Sequence, residues 1–94
     1  MYAQIVRFNL KPDTSREEFI HLTEQMIAWL QSQPGFPAYE LYEGSESWSD
    51  RIVWESQQHA QAGLSAFLDT VIAKEMLSLV EENYSSFFGE AVAC

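Results

Sequence analysis

An α+β domain of strand-helix-strand-strand-helix-strand order, with one antiparallel sheet, is predicted by three observations. Tyr2 to Leu10 distributes its side chains at period two. Two later stretches, one after Ser15 and one after Ser56, repeat apolar residues at helical spacing. Between them, the polar cluster Gly44-Ser45-Glu46-Ser47 divides two short strand-like runs as a hairpin turn does.

The first strand, Tyr2 to Leu10, puts Val6, Phe8 and Leu10 on one face and Ala3, Ile5 and Arg7 on the other. Lys11-Pro12-Asp13 breaks it, because proline donates no ladder hydrogen bond. Two overlapping capping boxes follow, Thr14 with Glu17 and Ser15 with Glu18. Phe19, Leu22, Met26, Trp29 and Leu30 then mark the apolar face of a helix that runs to about Gln33. Pro34-Gly35 stops that helix, and Phe36 is expected to fold back onto the core.

Pro37 to Glu43 is the second strand, with Tyr39 and Leu41 on one face and Tyr42 on the other. The third runs from Asp50 to Glu55, which leaves Trp48 on the polar tip of the hairpin. Ser56 caps the next helix, whose stripe is Ala60, Leu64, Phe67, Leu68 and Val71. Asp69-Thr70 is a point at which this helix can divide, its second piece burying Ile72, Met76, Leu79 and Val80. Ser85-Ser86 ends the helical stretch, and Phe87 to Cys94 is the last strand.

Two strand-helix-strand halves in this order describe a ferredoxin-like unit, and residues 1–94 are expected to form one such domain. Two helices cover only one face of a four-stranded sheet, and a face left to water is normally polar. Here both faces carry large apolar groups: Val6 and Phe8 against Ile5, Ile52 and Trp54 against Val53. A second copy of the sheet packed across the uncovered face meets that need, so the expected partner is the chain itself.

Composition narrows the function. Hydrophobic residues make up 47% of the chain, with three Trp, four Tyr and six Phe, an aromatic load that suits a partner or ligand surface. Fourteen acidic against five basic residues give a net charge of −9, which repels phosphate backbones and anionic membranes and argues against both as partners. No apolar run approaches membrane-spanning length, and Met1 to Leu10 does not read as a secretion signal. The lone Cys94 closes no intrachain disulfide and reads as a frayed terminal thiol, so a cytoplasmic location is expected.

The element order, Pro34-Gly35-Phe36 ahead of the second strand and Trp54-Glu55-Ser56 at the entry to the second helix together resemble the antibiotic-biosynthesis-monooxygenase family. That family lies within the dimeric α+β barrel superfamily, and the resemblance covers nearly the whole chain. It implies a dimer whose two sheets form a barrel, with a pocket between sheet and helices in each protomer. It also implies a cofactor-independent monooxygenase acting on a small aromatic, phenol- or quinol-like substrate. Haem-degrading relatives pair a first-strand Asn with a second-helix Trp and a later His. Counted from Trp54-Glu55-Ser56, these positions fall near Arg7, on Gly63 and on Ala73, which disfavours haem chemistry. No cofactor is expected. The residues leave a second reading open: a non-enzymatic homodimer of this fold that binds a small molecule or serves as an assembly module.

Cofactor-free oxygenation needs an apolar ring site, a base and a group that stabilises the resulting anion. Aromatic walls can come from Phe8, Trp29, Tyr39, Trp54 and Phe67, and partners for the anion from Asn9, Tyr42 or Arg51. His59, in the first turn of the second helix and close to Trp54, is the candidate base, since a helix N-terminus favours neutral imidazole. Its plain reading is an ordinary first-turn residue, as His21 is an ordinary surface histidine among acids. For Arg7 and Arg51 the plain alternative is an ion pair with Glu40, Glu43 or Glu55. Neither histidine has a metal-ligand neighbour at i+2 or i+4, and no metal is expected.

Overall fold

The computed structural model describes residues 1–93, so the expectations for Cys94 lie outside the described residues. The elements are β1 (Tyr2–Phe8), α1 (Arg16–Gln31), β2 (Ala38–Glu43), β3 (Trp48–Trp54), α2 (Gln57–Leu68), α3 (Val71–Leu79) and β4 (Ser85–Glu90). They form a four-stranded antiparallel sheet in the order β2-β3-β1-β4, the ferredoxin-like arrangement that the element order predicts.

Local chemistry explains the boundaries. Of the two overlapping capping boxes, the second operates: Ser15 Oγ accepts from the Glu18 N–H at 3.3 Å. Thr14 instead donates its hydroxyl to the Leu79 carbonyl at 3.3 Å, fastening the start of α1 to the end of α3. The expected break at Asp69-Thr70 occurs. Thr70 Oγ1 donates to the Phe67 carbonyl and accepts from the Ala73 N–H, so one hydroxyl closes α2 and opens α3. Gly35 sits at φ +70, where a side chain would be strained and its Cβ would run into the His59 ring.

Several boundaries and two burial assignments differ from expectation, the largest being the second helical stretch, which ends at Leu79 rather than at Ser85-Ser86. Gly44 N–H donates to the Ser47 carbonyl and closes the hairpin within 44–47, so Trp48 is the first residue of β3 rather than a tip residue. Its ring meets Phe19 edge-on at 5.2 Å. β4 starts at Ser85 and ends at Glu90, which faces Tyr2, the first residue of β1; one further backbone bond, from Ala91 N–H to the Met1 carbonyl at 2.8 Å, closes that end. β1 ends at Phe8; Leu10 makes only an isolated bridge with Val80. Leu68 and Val71 flank the helix break and are exposed, whereas the stripe's buried positions include Gly63 and Ala73.

The register sorts the sheet into two faces. Tyr2, Gln4, Val6 and Phe8 stand beside Trp54, Ile52, Asp50 and Trp48 on the face that the helices cover. There Met26, Leu30, Trp54 and Ala60 form the core, with Phe36 folded edge-on against Trp54 at 5.7 Å as expected. A Cβ on Gly63 would enter the Trp54 indole, which is why helix and ring can approach so closely. The opposite face carries Ile5, Val53, Tyr42 and Phe87, of which Phe87 is 64% exposed. Among the described residues, no helix is long and apolar enough to cross a membrane.

Candidate functional site

Between the covered sheet face and the helices lies a cavity of about 260 Å³, at the small end of ligand pockets. Its floor is Gln4, Val6, Asp50 and Ile52 from β1 and β3. Phe19 and Met26 of α1, Phe67 of α2 and Met76 of α3 wall it. Leu68, Leu77, Tyr84 and Phe88 also line it and are all exposed, which marks the mouth between the α2–α3 break and β4.

Two polar side chains interrupt this apolar lining from below. Period-two alternation along β3 aims Asp50 inward between Trp48 and Ile52, and only 8% of it is exposed. Tyr39, one strand over on β2, donates its hydroxyl to Asp50 Oδ2 at 3.0 Å. Asp50 Oδ1 is buried and has no hydrogen-bond partner among the described residues. Burial pushes the Asp50 carboxyl up to about 6, and the Tyr39 hydroxyl and the Val6 backbone only partly oppose this. Burial, followed by the Asp50 charge, likewise holds the Tyr39 phenol far above its ordinary 10.0. Gln4, one two-residue step along the neighbouring strand, is 7% exposed.

The structure brings some of the sequence candidates to this cavity and takes others away. Phe8 and Phe67 line it, and Tyr39 touches it through Asp50. Trp54 is core, 1% exposed, and Trp29, which is not among the lining residues, lies tilted against Phe67 at 5.4 Å between ring centroids. His59 does not join the wall: its Nδ1 lies 2.7 Å from Ser56 Oγ, and its ring lies against Gly35. Tyr42 and Arg51 stand on the opposite sheet face, where Arg51 pairs with Glu40 at 2.8 Å, the plain alternative for this arginine. Arg7 on the same face donates to Ser47 Oγ rather than to an acid. Asn9 borders a separate polar hollow with Ser47, Asn83 and Ser85.

Asp50 and Gln4 are the polar cavity groups that the sequence reading did not single out. Their signal was parity: both share a strand face with large apolar residues, Asp50 with Trp48, Ile52 and Trp54, and Gln4 with Val6 and Phe8. No group of three or more His, Cys, Asp or Glu among the described residues is placed to hold a metal ion.

No protein-family model matches this sequence, and no curated protein does. Solved structures do. SnoaB, a cofactor-independent oxygenase from Streptomyces nogalater, superposes with a TM-score of 0.83 at 19% identity, over 99% of this chain and 94% of that one. ActVA-Orf6 of Streptomyces coelicolor, a monooxygenase in complex with the ligand Nanaomycin D, gives 0.76 at 17% identity, over 99% and 88%. A structure described as an antibiotic biosynthesis monooxygenase gives 0.74 at 15% identity, over 99% and 100%. At these identities the likeness is one of architecture, and it establishes that the chain has the ferredoxin-like α+β fold of the antibiotic biosynthesis monooxygenase structures.

Proposed function

We propose that this protein is a cofactor-independent monooxygenase of the antibiotic-biosynthesis-monooxygenase family, working as a homodimer on a small phenol- or quinol-like substrate, with Asp50 as its base. One observation carries the reading: a single carboxylate, with one oxygen unpartnered, is buried on the floor of an otherwise apolar cavity. An assembly module gains nothing from such a group, whose charge is costly to bury. The large aromatics also do not plug the cavity, since Trp29 and Trp54 pack elsewhere. The fold shared with SnoaB and ActVA-Orf6 supports the reaction class.

The chemistry follows from these groups. Asp50 Oδ1 takes the phenolic proton, and a carboxyl whose titration lies near neutrality suits both halves of that transfer. The phenolate gives one electron to dioxygen, and the resulting radical pair joins as a peroxide on a ring carbon that carries hydrogen. Loss of water leaves a carbonyl there, so a phenol and one O₂ become a quinone and one H₂O. The apolar walls exclude bulk water, which strengthens every charge interaction in the site.

The dimer reading rests on the uncovered sheet face, where Ile5, Tyr42 and Phe87 are exposed together. An oxygen electrode with a panel of hydroquinones and polycyclic phenols tests the activity. Asp50→Asn is expected to lower the rate by about 10²–10⁴, the usual contribution of a general base. Oxygen uptake no faster than the autoxidation blank would overturn the enzyme reading. Loss of rate in His59→Ala with full rate in Asp50→Asn would move the base to His59.

A further inference from the structure

We propose that the side-chain amide of Gln4 is the second contact of this site, donating from Nε2 to the ligand oxygen that gives up its proton to Asp50. The inference rests on the reading of the cavity as a phenol site and adds the group that holds the anion.

Three observations point to Gln4. First, it lines the cavity with only 7% of it exposed, and its amide is neither a buried orphan nor engaged by a side-chain hydrogen bond, so it stays open to whatever fills the cavity. Of the other buried polar side chains, Thr23 donates to the Phe19 carbonyl, and Asp50 accepts from Tyr39 at Oδ2 while its Oδ1 is unpartnered. An unengaged amide on the wall of an apolar cavity is available to a ligand oxygen. Second, the register places it correctly. Gln4 faces Ile52, and Val6 faces Asp50, so Gln4 and Asp50 are diagonal neighbours on one face of adjacent strands. Such neighbours stand about 7–8 Å apart, within joint reach of one ring oxygen or of two oxygens on one ring edge.

Third, the chemistry requires a neutral donor. Once the phenolic proton has moved to Asp50, the ligand oxygen is an anion in an apolar enclosure, and the neutralised carboxyl is only one of the donors it needs. The remaining polar lining groups, Tyr84 and Ser86, are exposed at the mouth. Apart from Asp50 and Tyr84, the cavity lining holds no titratable group, and Tyr39 reaches it only through Asp50. Gln4 carries two N–H donors and no charge, so it favours the anion without competing for the proton. The pair therefore selects a ring bearing an ionisable hydroxyl over the same ring without one.

Anaerobic titration of bound 4-nitro-1-naphthol, whose phenolate is coloured, tests this without any oxygen chemistry. In Gln4→Met, which matches the length of glutamine but has no donor, the ionisation midpoint of the bound probe should rise by about 1–2 pH units. That is the size of a lost hydrogen bond to a charged oxygen. Phenolate affinity should fall about 10–100-fold, while 1-nitronaphthalene, the same ring without the hydroxyl, should bind within about twofold of wild type. Should Gln4→Met fail to fold, Gln4→Asn withdraws the amide by one methylene and is expected to shift the midpoint in the same direction.

Equal midpoints in wild type and variant would overturn the proposal. So would an equal loss of both ligands, which would make Gln4 a wall residue only, and so would failure of the wild type to bind the naphthol. A Gln4-dependent midpoint in a protein that consumes no oxygen would uphold the Gln4–Asp50 pair and remove the oxygenase reading alone.

Discussion

Replacing Asp50 with asparagine should make this protein more stable at pH 8 and leave it unchanged at pH 3.5. Asparagine keeps the shape of aspartate and still accepts the Tyr39 hydroxyl, but it carries no charge to bury. The sign follows from the raised carboxyl. The folded state holds its Asp50 proton up to about 6, whereas the unfolded chain releases it near 3.8. Below 3.8 both states are protonated and burial of the neutral acid is tolerated. As pH climbs from 3.8 through about 6, the wild type loses stability, because the unfolded state binds fewer protons than the folded one. Across that window, at about 1.4 kcal/mol per pH unit, the loss is about 3 kcal/mol. Asparagine escapes it. For a domain of this size, 3 kcal/mol corresponds to a melting temperature higher by more than about 10 °C. Urea unfolding followed by tryptophan fluorescence at pH 3.5, 5 and 8, at one protein concentration, measures the difference directly. A stability difference that does not change with pH, or an Asp50→Asn variant weaker than wild type at pH 8, would refute the buried-charge account.

Other consequences can be checked with equal economy. In the oxygenase reading, the wild-type rate at saturating phenol should rise with pH through about 6 and then level, as Asp50 becomes the base; a profile flat from pH 5 to 8 counts against it. Gly63→Ala pushes a methyl group into the Trp54 indole and should cost about 1–3 kcal/mol in urea unfolding, with a change in tryptophan emission. Ser56→Ala removes the cap of α2 and the partner of His59 Nδ1, for a loss of about 1 kcal/mol by the same measurement. Phe87→Asp places a charge on the exposed sheet face; sedimentation equilibrium should show one-chain mass with the circular dichroism of the folded chain, against two-chain mass for wild type.

The fold was legible because each element announces itself locally. Capping residues Ser15, Ser56 and Thr70 start the three helices, and Gly35 and the 44–47 turn end or reverse the chain. The site was harder to read, for two physical reasons. Sequence proximity misplaced His59: it follows Trp54 closely, but the first turn of α2 rotates its ring toward Ser56 and Gly35. Parity in fact excludes Tyr42 and Arg51, which differ by an odd number of residues from Tyr39 and Asp50 and so face the other way; their chemistry alone suggested them. The same parity would have found Asp50, had Trp48 been assigned to the strand rather than to its turn. Then an acid appears in an otherwise aromatic and aliphatic row, Trp48-Asp50-Ile52-Trp54. Whether its charge meets water or a cavity depends on helices that are distant in sequence, and no local pattern reports that.

The strand order has a further consequence, for how the molecule comes together. β1 is translated before every other element, yet it lies inside the sheet, flanked by β3 and β4. Ile5 must find Arg51 on one side and Phe87 on the other, so neither of its ladders can close early. Such distant pairings form slowly compared with helices, which need only their own neighbours. Until Ser85–Glu90 has emerged, β1 presents a bare edge carrying Ile5 and Val6, the kind of unpaired apolar strand that aggregates in partly folded chains. Chains cut short of β4 should therefore be lost to precipitation or proteolysis, because the floor of the cavity would rest on a strand with one of its two neighbours missing.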